Sequence, residues 1–198
     1  TESIVADTFA EADRVMEPLL GRPLTDFIFI DADDPDAVTT LEQQLLQTEI
    51  TQPAVLASDI AVHRLLATYG ITPDMVMGHS LGEYAALVAA GSLSFASALE
   101  AVSARGHERA ALTMEDNGAM AAVFAPIAEI DRVVAAADGY VVVANVNSFS
   151  QAVIGGTTAA VTSVIDTFTQ GGFTAVRIPV SHAFHTSIVA PVSAPLMD

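Results

Sequence analysis

Residues 74–91 read DMVMGHSLGEYAALVAAG, a short apolar run that meets Gly78-His79-Ser80-Leu81-Gly82 and passes at once into helix-forming sequence closed by Gly91. Met75–Met77 is apolar and short enough to be a buried strand, and Leu81–Ala90 is expected to be helical. A serine on a sharp turn between a strand and a helix is the arrangement of a nucleophile elbow. Its backbone is strained there, and side chains two positions to either side would clash, which gives Gly78 and Gly82 a physical task. The helix that follows directs its first amides at the serine oxygen, with the Leu81 N–H as the natural first donor to an oxyanion. The competing reading is a glycine-flanked turn in an α/β domain, with no chemistry attached.

Outward from the elbow, residues 1–20 have Ile4, Val5, Phe9, Ala10, Val15 and Met16 roughly on one helical face. DFIFIDADDPDA then gives way to an acidic loop, and AVLASDIAVHRLLATY reads as a buried helix ending at Gly70, with Pro53 in its first turn. Ser94 is placed to cap a further helix carrying Ala98, Leu99, Val102 and Arg105. After EDNG at 115–118 the texture changes. AMAAVFA, YVVVANV, QAVIGG and FTAVRIPV read as strands, and IAEIDRVVAAA and AAVTSVIDTFTQ as helices. The order β-α-β-β-α-β is that of a ferredoxin-like unit. The expected class is therefore α/β, an α/β-hydrolase-like parallel-sheet core over 1–117 and 183–198 with an inserted ferredoxin-like subdomain over 118–182.

The chain of 198 residues is 52% hydrophobic, with a mean hydropathy of +0.48, enough for a sizeable core. Its net charge is −17, from 24 acids against 7 bases, all of them arginine. A surface that acidic repels nucleic acid and anionic membrane, so neither is an expected partner. No uninterrupted apolar run approaches the ~20 residues of a membrane span. No basic segment precedes an apolar stretch at the start, so no secretion signal is read. Without cysteine there are no disulfides or thiolate metal sites; no metal or bound cofactor is expected, and a cytoplasmic location fits.

A nucleophilic serine needs a base, and the histidines are His63, His79, His107, His182 and His185. His63 lies within an apolar helix, His79 sits beside the serine but points away on a tight turn, and His107 belongs to a charged helix. SHAFH at 181–185 follows a strand, where a loop can carry a base, and spacing alone does not choose between His182 and His185. No acid stands out as a third member. Arg105, in VSARGHERA, has Ala101 and Val102 nearby on an apolar face. A half-buried arginine there suits a carboxylate held bidentately, the alternative being a salt bridge to one of the many acids.

TFAEAD, TQPAVLASDIAVHRLL, MGHSLGEYAALVAAG, ARG, GAMAAVF, NVNSFSQAVIGG and VSHAFH, in this order and spacing, resemble the malonyl-CoA:acyl carrier protein acyltransferases built into type I polyketide and polyunsaturated fatty-acid synthases. The resemblance implies Ser80 as nucleophile, His185 as general base, Arg105 as the ligand of the extender unit's free carboxylate and Leu81 as an oxyanion-hole amide. Gln52 matches a glutamine lining the family's cleft. HAFH, from His182 to His185, is similar to the selectivity tetrad of malonyl-specific members, and Leu81 stands where other members have glutamine. Malonyl-CoA is then the substrate, and the partners are an acyl carrier protein bearing phosphopantetheine and neighbouring synthase domains.

The family's first strand and GQGSQ-type loop, and its final strands, are not matched. On this reading the chain is the middle of the domain, cut at both ends. The rival expectations are a serine hydrolase or thioesterase with a similar elbow, and a catalytically incomplete structural fragment of a synthase.

Overall fold

A computed structural model describes residues 2–29, 35–111 and 115–193. Residues 31–34, part of the expected acidic loop, and the last five residues, with Asp198, lie outside the described residues. Contacts divide the chain into two compact units, Thr1–Ala111 and Leu112–Asp198.

The first unit is helical in its described residues: α1 (Ser3–Leu20), α2 (Thr25–Ile28), α3 (Pro35–Leu45), α4 (Thr48–Thr68), α5 (Gly82–Ala89) and α6 (Phe95–Ala111). Its core brings Phe9, Ala12 and Met16 of α1 against Leu56, Ala57 and Ile60 of α4 and Ala98, Leu99 and Val102 of α6. Small residues Ala54, Ala57 and Ala61 face this core along α4, which lets neighbouring helices approach it closely. The tightest approach is at Gly106, where an added Cβ would lie 2.6 Å from the Thr48 carbonyl oxygen. Only glycine allows α6 to abut the start of α4 in this way.

Three expectations in this unit need correction. Helix α4 begins at Thr48, a full turn before the expected start, so Pro53 is interior to it. The amide that proline lacks would have met the Glu49 carbonyl, and packing of this extra turn on α6 at Gly106 compensates. Residues 35–37, expected as the end of an acidic loop, instead open α3 (Pro35–Leu45). Residues 75–77 form no strand ladder among the described residues, and Met75 and Met77 are 90% and 94% exposed. An apolar run becomes a strand only when neighbouring strands satisfy its amides and carbonyls. The Ser94 cap is as expected, its hydroxyl accepting the Ser97 N–H at 3.0 Å.

The second unit is β1 (Ala119–Phe124), α7 (Ile127–Ala135), β2 (Val141–Ser148), β3 (Gln151–Gly156), α8 (Thr158–Gln170) and β4 (Thr174–Ile178), followed by a 3-10 turn at Ser187–Ser193. The sheet order is β2-β3-β1-β4, with every pairing antiparallel. This is the ferredoxin-like unit that the element order predicted, and the α/β class stands. Alternation separates the faces: Ala121, Val123, Ala152 and Ile154 pack under α7 and α8 with Ile130, Val161, Val164 and Phe168. Met120 and Val153 face the other way and meet Ala183 and Ile188. Residues 183–189 therefore pack on this sheet, where the sequence reading assigned 183–198 to the first part. The physical reason is that Ala183 and Ile188 are apolar and cover the sheet face that the helices leave open.

Asp116 ties the start of β1 to the start of α8. Its carboxylate accepts the Thr158 hydroxyl at 2.6 Å, the Thr158 N–H at 2.8 Å and the Gly118 N–H at 2.9 Å. The Thr158 side-chain bond, with the two backbone bonds, holds this carboxyl below its usual range. Its stabilising effect is complete above the ordinary carboxylate pKa and is lost as pH falls through the lowered folded-state value. Asp116→Asn should lower stability at neutral pH by on the order of 1 kcal/mol and flatten the acid limb of melting temperature against pH, checked by thermal denaturation from pH 3 to 7.

Candidate functional site

The elbow is a tight turn: the Gly82 N–H donates to the His79 carbonyl at 3.0 Å and the Glu83 N–H to the Ser80 carbonyl at 3.2 Å. Ser80 has φ 54°, and the only other non-glycine residue at positive φ among the described residues is His185, at 58°. Left-handed backbone at a residue with a Cβ costs on the order of 1–3 kcal/mol and persists where its surroundings over-determine it. At the elbow that surrounding is Gly78, whose added Cβ would overlap the Gly82 carbonyl carbon and oxygen at 2.1 Å. Gly82 differs from expectation: a Cβ there meets nothing within 4 Å. The clash is one-sided because the chain folds back onto Gly78, whereas the Cα–Cβ direction at Gly82 is open.

Ser80 is half-buried and Leu81 follows it at the N-cap of α5. Behind the turn, Asp59, His63, His79, Met77 and Gly78 line a cavity of about 330 Å³ that does not include Ser80. His79 lines this cavity and Ser80 does not. Burial pushes the Asp59 carboxyl up from its ordinary value.

Arg105 meets Gln52. The guanidinium Nη1 donates to Gln52 Oε1 at 2.7 Å, across the α4–α6 contact that Gly106 permits. Gln52 is 4% exposed, and its Nε2 is buried with no hydrogen-bond partner among the described residues. Tyr84 lies with its ring centroid 5.9 Å from the Arg105 guanidinium carbon. Burial pushes the Arg105 pKa down from its ordinary value, partly offset by Tyr84 and Glu83. Among the described residues no carboxylate pairs with this arginine; the arginine ion pairs are Arg64–Glu11 and Arg132–Glu129. A guanidinium with a neutral partner keeps its charge and can pair with an anion. Sequence reasoning had Arg105 and Gln52 separately and missed Tyr84, although GEYAAL puts it one helical turn after Ser80.

In the second unit, His182 is 5% exposed and its ring lies 6.4 Å from that of Phe184, while His185 is exposed. The loop is fixed by the Ala183 N–H donating to the Asn117 carbonyl at 2.9 Å and the Thr186 hydroxyl donating to the Ala183 carbonyl at 2.6 Å. Ser80, Leu81, Gln52 and Arg105 thus belong to the first unit, and His182 and His185 to the second. Among the described residues no group of three or more His, Asp or Glu is arranged to hold a metal ion, and no helix is long and apolar enough to cross a membrane.

The two glycines of the elbow should separate on substitution. Gly78→Ala should destabilise the chain by about 2 kcal/mol or more, whereas Gly82→Ala should stay within about 0.5 kcal/mol of wild type or gain stability, as read by thermal denaturation.

The sequence profile of the acyl transferase domain family matches residues 1–198. Over 183 residues the chain is 38% identical to the spectinabilin polyketide synthase system protein NorB of Streptomyces orinoci, covering 92% of this chain and 8% of that protein. It is 36% identical over 195 residues to the malonyl CoA-acyl carrier protein transacylase of Bacillus subtilis, covering 96% of this chain and 57% of that one. The crystal structure of MCAT from Streptococcus pneumoniae superposes with a TM-score of 0.81 at 38% identity, over 98% of this chain and 61% of that one. The chain therefore spans at most about three-fifths of these relatives. It belongs to the acyl transferase domain family, whose structures combine an α/β-hydrolase-like core with a ferredoxin-like subdomain.

Proposed function

We propose that this chain moves a malonyl extender unit from malonyl-CoA to the phosphopantetheine thiol of an acyl carrier protein, by way of a malonyl ester on Ser80. The observation that carries the reading is Arg105, a half-buried cation whose hydrogen-bond partner is a neutral amide, in a chain of the acyl transferase family. A malonyl group differs from an acetyl group by a free carboxylate, the group that a guanidinium fork holds bidentately. The Bacillus subtilis relative, named for malonyl CoA and acyl carrier protein, supports the same substrate and carrier.

In the first half-reaction His185 takes the Ser80 hydroxyl proton as the oxygen attacks the thioester carbonyl. The Leu81 N–H, at the start of α5, receives the developing oxyanion. Collapse breaks the C–S bond, and the imidazolium returns the proton to the departing CoA thiolate. In the second half-reaction His185 takes the proton of the carrier thiol, whose sulfur attacks the malonyl ester. The oxyanion collapses with release of the Ser80 alkoxide, which recovers that proton. Arg105 holds the carboxylate through both halves, and Gln52, whose Oε1 accepts from the guanidinium, orients the fork. His182, buried with its ring 6.4 Å from that of Phe184, is a further substrate-binding residue of this reading. The acidic chain and an acidic carrier repel each other weakly, an effect that tethering within one synthase polypeptide offsets by raising effective concentration. Neighbouring synthase domains and a cytoplasmic setting belong to the same proposal.

Two measurements test it. Intact mass after incubation with malonyl-CoA should rise by one malonyl group in the wild type and not in Ser80→Ala; release of free malonate without acyl-protein would instead indicate a hydrolase. Arg105→Ala should slow malonyl loading by about 100-fold or more and acetyl loading by only a few fold, since truncation removes a charge-assisted bidentate contact that acetyl never makes. Equal losses for both donors would remove Arg105 from carboxylate recognition.

A further inference from the structure

We propose that Tyr140 is a positioning residue for His185, its phenol holding the loop that presents this histidine; the inference rests on the reading of His185 as general base. His185 sits at φ 58° in a stretch, residues 179–186, that has no helix or strand of its own. A side-chain-bearing residue stays in that conformation only if the chain on both sides is fixed. Upstream the anchor is Ala183, fully buried, with its N–H on the Asn117 carbonyl at 2.9 Å. Downstream it is Ser187, first residue of the 3-10 turn, whose N–H donates to Tyr140 Oη at 2.8 Å. Between them the Thr186 hydroxyl closes back on the Ala183 carbonyl, and its methyl group occupies the space that a Cβ at Gly155 would need, 2.8 Å away.

Tyr140 is suited to the task because it is itself held. Its carbonyl accepts the Thr157 N–H at 2.8 Å, where β2 and β3 lie side by side. Its ring is half-buried against the cluster of Met120, Val153, Ala183 and Ile188. The phenol oxygen therefore offers a fixed acceptor two residues past His185. Donation from Ser187 stabilises the phenolate form and keeps this hydroxyl below the ordinary tyrosine range. A general base acts only within hydrogen-bond reach of the proton it takes, so small displacements of its loop appear in the chemical step and not in substrate binding.

The test compares wild type, Tyr140→Phe, His185→Ala and the double variant in single-turnover malonylation of Ser80 by the full chain, read by intact mass. Loss of one neutral hydrogen bond should lower the maximal acylation rate of Tyr140→Phe about fivefold. The half-saturating malonyl-CoA concentration should stay within about twofold, the melting temperature within ~2 °C, and amide exchange at Ser187 should quicken. Added to His185→Ala, Tyr140→Phe should cost nothing further, because it acts through the missing imidazole. A wild-type rate in Tyr140→Phe, unchanged exchange at Ser187, or the same fractional loss on the His185→Ala background would overturn the positioning role. His185→Ala acylating at the wild-type rate would instead remove the general-base reading, so the two failures are separable.

Discussion

Among the described residues two that bear side chains sit in the left-handed region of backbone space, Ser80 and His185, and the local architecture around each keeps them there. At Ser80 the constraint is the fold-back of the turn onto Gly78, which brings the Gly82 carbonyl to a distance that no Cβ tolerates. At His185 it is a set of hydrogen bonds and a methyl contact on the sheet face of the ferredoxin-like unit. Strain of this size is a few kcal/mol against a total stability of roughly 5–15 kcal/mol, so each site draws on the packing of its own unit. That both strained residues are the ones assigned to proton transfer and nucleophilic attack is consistent with pre-organisation of reactive groups.

The choice of a neutral partner for Arg105 has a chemical logic. With 24 acids in the chain, a carboxylate partner would have been readily available. An ion pair would have neutralised the guanidinium and left it little to gain from an incoming carboxylate. Gln52 supplies an acceptor that fixes the fork without cancelling its charge, and burial raises the cost of leaving that charge unpaired. The geometry depends on a residue with no chemistry of its own: Gly106 lets α6 reach the first turn of α4, and so brings residues 53 positions apart within 2.7 Å.

Much of the fold was legible because its elements carry strong periodic signals. The second unit was read nearly element for element, since its strands are short, β-branched and apolar-rich and its helices lie between Pro126 or Thr157 and the glycines that follow. The errors fall where local pattern and tertiary packing disagree. Pro53 looked like a helix start, but the contact at Gly106 sustains a further turn ahead of it. Met75–Met77 looked like a buried strand, yet apolar composition cannot supply the hydrogen-bonding neighbours that a strand requires. Gly82 looked indispensable by symmetry with Gly78, but direction relative to the turn, not spacing, decides what a Cβ meets.

The sequence by itself determined the chemistry on offer: a serine between glycines, a loop with two histidines, an arginine on an apolar face, and an acidic, cysteine-free chain. These follow from residue identity and short-range spacing, which any conformation of the chain carries. Only the tertiary structure decided that Arg105 is held by Gln52 and faces Tyr84, that Gly78 and not Gly82 makes the elbow, and that Tyr140 reaches the His185 loop. Each of these joins elements that are distant in sequence or sets the direction of a single Cα–Cβ bond. Such relations are products of packing, and no local pattern encodes them.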